Sequence, residues 1–66
     1  MNNDLELIKE KITYYHNSPW SSMGDDLDYD SMVELYNSKG LEYVLKYIKK
    51  VNSLAYHKEE YLSGSL

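Results

Sequence analysis

The chain contains no cysteine, no arginine and no phenylalanine, and a single proline. Without cysteine there is neither a disulfide nor a thiolate metal site, the two staples on which very small domains most often rely. Without arginine the chain lacks the planar, bidentate donor that dominates contacts to phosphate and guanine, so direct binding to DNA or RNA is disfavoured. Long apolar runs are also missing. No stretch approaches the roughly 18 consecutive apolar residues of a membrane span. The first residues, MNNDLELIKE, have no basic segment leading into an apolar run of signal-peptide length. A cytoplasmic protein with no membrane association is therefore expected.

What the chain does contain is acid and tyrosine. Its 66 residues carry 11 acidic side chains against 7 lysines, for a net charge of -4, and include eight tyrosines. Lys, Asn, Ile and Tyr are common whereas Ala, Pro and Arg are scarce, a bias toward AT-rich codons that points to a low-GC bacterium or one of its mobile elements. A chain of this length forms one domain and buries only about 60% of the surface its unfolded state exposes. With no covalent staple, its stability has to come from helix packing, from self-association or from a partner.

The longest helical pattern is LEYVLKYIKKVNSLAYHKEEYL, in which Leu41, Val44, Leu45, Ile48, Val51 and Ala55 recur at the spacing of three and four that lines one helix face. This stripe is the expected core, and it predicts a helix over about 41–62; the poorer helix formers Asn52 and Ser53 leave its continuity open, with a bend there or an end near Ala55 as the alternative. Upstream, Leu5, Ile8, Ile12 and Tyr15 share the same spacing. They predict a first helix over about 4–16, with Asn3 and Glu6 close to a capping box and an end forced by Pro19. A second helix is expected over about 29–38, capped by Asp28 or Ser31, burying Met32, Val33, Leu35 and Tyr36, and closed by Gly40 in a left-handed conformation. The expected fold is an all-α, small three-helix bundle with a long first connection, rich in turn formers and containing Trp20, and a long C-terminal helix.

Asp25, Asp26, Asp28, Asp30 and Glu34 place five negative charges within ten residues, with no lysine among them. Asp26, Asp28 and Asp30 fall at the first, third and fifth positions of a calcium loop, but Ser31 stands where the loop needs glycine and Asn37 where it needs a bidentate glutamate. No metal is expected. His16 and His57 have no short ligand spacing, and a histidine at the end of a helix is explained by the helix dipole. No serine or threonine lies in a nucleophile motif and no glycine-rich phosphate loop is present. Catalytic residues and cofactors are accordingly not expected, and the chain is not read as an enzyme.

The carboxylates acquire a functional reading when joined to Leu27 and Tyr29 between them and to Trp20 and Met23 just before. An acidic surface carrying aromatics can dock on a basic, nucleic-acid-binding surface of another protein by charge complementarity. The plain alternatives are a solvated, acidic helix start for the aspartates and a lid on the core for Trp20. Lys39, Lys46, Lys49 and Lys50 against Glu42 leave the following segment at +3, so the chain is dipolar along its length. Tyrosine is abundant enough that some must be exposed, as it is at interfaces. The expected function is a small acidic protein-binding module, an inhibitor or modulator of a host protein, with Trp20, Asp25, Asp26, Asp28, Tyr29, Asp30 and Glu34 as its contact residues. The alternative is a structural or regulatory homo-oligomer that associates through Tyr43, Tyr47, Tyr56 and Tyr61.

Overall fold

A computed structural model describes residues 3–64, with side chains through residue 60. It is an all-α three-helix bundle: α1 is Asn3–His16, α2 is Tyr29–Lys39 and α3 is Leu41–Gly64, with a 3₁₀ turn at Ser21–Met23 in the connection between α1 and α2. The periodic apolar positions of each helix meet in one cluster. Ile8, Ile12 and Tyr15 come from α1, Met32 from α2, and Val44, Ile48, Val51 and Ala55 from α3. Leu27, from the connection, completes it and is 1% exposed. Leu41, Leu45, Leu35, Val33 and Tyr36 are half-buried around this centre.

Local chemistry accounts for the helix boundaries. Asp28 is the N-cap of α2, and its carboxylate accepts from the Ser31 amide at 3.2 Å and from the Ser31 hydroxyl at 3.3 Å. Gly40 ends α2 with φ 95° and ψ 168°, a region open essentially to glycine alone, and donates its amide to the Tyr36 carbonyl at 2.9 Å. That one residue separates α2 from α3. At the start of α1 the capping-box expectation gives way: Asn3 is itself helical, and the neighbouring Asp4 carboxylate accepts from the Tyr36 hydroxyl at 2.7 Å, tying α1 to α2.

α3 runs unbroken through Asn52 and Ser53, the two poorer helix formers at which the sequence leaves its continuity open. Their propensity penalty is only about 0.5–0.7 kcal/mol each relative to alanine. Burial of Val51 and Ala55 on either side opposes it. Asn52 also has a tertiary partner, because its side-chain oxygen accepts from the Trp20 indole N–H at 2.7 Å. The buried positions of α3 reach Ala55, while His57, Lys58 and Glu60 beyond it are exposed. None of the described helices is long and apolar enough to cross a membrane.

Candidate functional site

The connection between α1 and α2 is held by the last two residues of α1. The Tyr15 side chain is buried among core residues, and its hydroxyl donates to the Asp25 carbonyl at 2.9 Å, with the Ser21 carbonyl also within reach at 3.3 Å. His16 turns outward, and its Nε2 lies 2.8 Å from the Leu27 carbonyl. A carbonyl can only accept, so Nε2 carries the proton. The Ser21 hydroxyl closes the turn onto the His16 carbonyl at 3.3 Å. Two adjacent side chains therefore anchor the backbone of the connection at two points, Asp25 and Leu27.

Gly24 allows the connection to come this close. A β-carbon there would lie 2.7 Å from the Ala55 β-carbon and would collide with the Tyr15 hydroxyl. Beyond Gly24 the chain runs without regular structure to the extended cap residue Asp28. Leu27 is buried, while Asp26 and Asp28 on either side of it are exposed. All five carboxylates, Asp25, Asp26, Asp28, Asp30 and Glu34, are exposed, as is Tyr29. Asp30 and Glu34 stand one turn apart on α2, where like charges repel by a few tenths of a kcal/mol. Among the described residues no lysine reaches ion-pair distance of the five; the His16 Nε2 lies 3.9 Å from an Asp26 carboxylate oxygen.

Six of the seven residues proposed for partner contact are thus exposed along the connection and the first turns of α2, whereas Trp20 is half-buried. Trp20 is half-buried against the core, its indole N–H is taken by Asn52, and Tyr56 packs edge-on against its ring at 5.0 Å. Leu27 is buried and Met23 packs on the core, so neither adds apolar area to the acidic face. The face is consequently more polar than the sequence reading anticipated. Of the tyrosines proposed for self-association, Tyr43 is 49% exposed, Tyr56 is 41% exposed and edge-on to Trp20, and Tyr47 is half-buried. The Tyr61 side chain lies outside the described residues. Among the described residues no group of three or more His, Cys, Asp or Glu side chains is arranged to hold a metal ion.

Tyr15 and His16 are the positions that the sequence reading undervalued. Tyr15 was placed in the apolar stripe of α1 and His16 was explained by the helix dipole. A signal was available for Tyr15, because a buried tyrosine hydroxyl requires a hydrogen-bond partner and the nearest unassigned backbone was the connection. For His16 the pattern offered nothing comparable.

Burial raises the Tyr15 phenol above its ordinary value of 10.0, with the Asp25 and then the Asp26 carboxylates adding to the effect. The folded protein therefore holds the Tyr15 proton to higher pH than the unfolded chain does. Its contribution to stability is complete below about pH 10 and is lost as pH rises through the raised folded-state value. We expect the wild type to lose stability above pH 10 more steeply than Tyr15→Phe, as measured by urea denaturation across pH 8 to about 11.5. Parallel curves for the two proteins would remove the burial argument.

Comparison of the chain with protein-family models, with curated proteins and with solved structures gives no match.

Proposed function

We propose that this chain is a small protein-binding module whose acidic face, formed by Asp25, Asp26, Asp28, Tyr29, Asp30 and Glu34, docks on a basic surface of another protein. The observation that carries this reading is the anchoring of that face: exposed carboxylates without lysine partners stand on backbone held by Tyr15 and His16. Gathering like charge in this way costs the isolated fold stability, and a basic partner reverses the sign of that contribution. Preorganisation also spares the complex the entropy of ordering a loop. Basic surfaces of the required kind are common on nucleic-acid-binding proteins, and occupying one would inhibit or modulate it. The codon-biased composition supports a low-GC bacterial or mobile-element setting for such a role.

The test is capture of a partner from a low-GC bacterial lysate on the immobilised chain, compared with Asp26→Asn/Asp30→Asn/Glu34→Gln. Asp28 is left intact because it caps α2. A stoichiometric partner held by the wild type and lost by the triple variant is expected. A partner retained equally by both, or none at all, would sink the proposal.

A further inference from the structure

α3 carries the electrostatic counterpart of the acidic face. Tyr43, Lys46, Tyr47 and Lys50 line a surface cleft of about 250 Å³. Lys39 adds a third cation at its edge, with Nζ 5.9 Å from the centre of the Tyr43 ring. Among the described residues no carboxylate lies within ion-pair distance of Lys39, Lys46 or Lys50, although Glu42 sits one turn before Lys46. Among the described residues, the lysines of this basic, aromatic cleft form no ion pair with the carboxylates of the acidic face. Tyr43 and Tyr47 supply the cleft with flat apolar area of the kind enriched at protein interfaces.

We infer that a second copy of this chain occupies the cleft, inserting the acidic start of α2, with Asp30 and Glu34 facing Lys46 and Lys50. The inference rests on reading the acidic face as a protein-binding surface, and it assigns that face a first partner. Self-docking then competes with any other basic partner, so association between copies masks the binding face. Two such contacts related by a two-fold axis close a dimer; without closure the same contact continues into longer assemblies. The net charge of -4 on each chain opposes association. At physiological ionic strength screening over about 8 Å leaves the local complementarity of the patches to decide the outcome. Exposed ion pairs contribute little each, so the association is weak and sensitive to salt.

Sedimentation velocity over a concentration series into the millimolar range tests this with reciprocal charge reversals. The wild type should gain mass with concentration and lose that gain in about 0.5 M salt. Lys46→Glu/Lys50→Glu and Asp30→Lys/Glu34→Lys should each associate at least about tenfold more weakly. An equimolar mixture of the two variants should recover association, which also establishes that both fold. A wild type that stays monomeric, reversals that associate like the wild type, or a mixture that fails to recover each overturn the inference. A monomeric wild type that still captures a partner through its carboxylates would leave the acidic-face reading standing, so the two failures are distinct.

Discussion

Ile8→Ala should lower the unfolding free energy by about 2–5 kcal/mol, the range for truncating a large aliphatic residue in a packed core. Ile8 is 0% exposed, at the middle of α1, in the cluster that contains Val44, Ile48 and Met32. A stability of about 0.05–0.15 kcal/mol per residue puts a chain of this size at only about 3–10 kcal/mol in total. The substitution therefore removes a large share of the total and can leave the protein partly unfolded at 37 °C. No disulfide holds the chain while the cavity is accommodated. Leu54→Ala is the matched control. Leu54 is 58% exposed on α3, and its truncation should change stability by no more than about 0.5 kcal/mol. Urea denaturation monitored by helical circular dichroism reads both changes, and equal effects at the two sites would show that the core is not where the structure puts it.

Gly24→Ala should cost about 2–4 kcal/mol, since overpacking is compounded by a displaced hydrogen bond. The backbone at Gly24 is extended, with φ -119° and ψ -175°, so any residue can adopt its conformation. Space is what it lacks. An added β-carbon meets the Ala55 β-carbon at 2.7 Å and the Tyr15 hydroxyl, the group that anchors the connection through the Asp25 carbonyl. Relieving the clash means lifting the connection off α3 or moving Tyr15, and either loosens the backbone beneath the carboxylates. Pairing Gly24→Ala with Ala55→Gly should recover part of the loss, because the two changes share one contact. Strict additivity of the pair would contradict the close approach. Gly40 presents the opposite case: nothing lies within 4 Å of an added β-carbon, but its φ of 95° excludes other residues on conformational grounds.

The helices were legible because each carries a regular signal. The period of 3.6 exposed the stripe from Val44 to Ala55, the α2 cap was narrowed to Asp28 or Ser31, of which Asp28 is the one used, and Gly40 announced the end of α2. What escaped the sequence depends on where the connection runs after it leaves α1. Leu27 sits in a short stretch without regular structure, whose single apolar residue has no periodicity to reveal its burial. Trp20 finds its hydrogen-bond acceptor 32 positions away on Asn52, a residue whose local propensity alone argued for a helix break. Gly24 lies in a connection rich in turn formers, and nothing in that local pattern marks its role of letting two elements approach. The acidic cluster was visible as charge, but the side chains that anchor it were not, since a hydrogen bond to a backbone carbonyl leaves no trace in composition or spacing.

The central claim is that Tyr15 and His16 hold an acidic face in place instead of leaving it on a mobile loop, and the most direct measurement is backbone ¹⁵N relaxation through residues 24–30. Anchoring predicts order parameters of about 0.85 there, equal to those of the helices, falling for residues 25–27 in Tyr15→Phe and His16→Ala. Order parameters below about 0.6 for residues 25–27 in a wild type whose helices are rigid would contradict it.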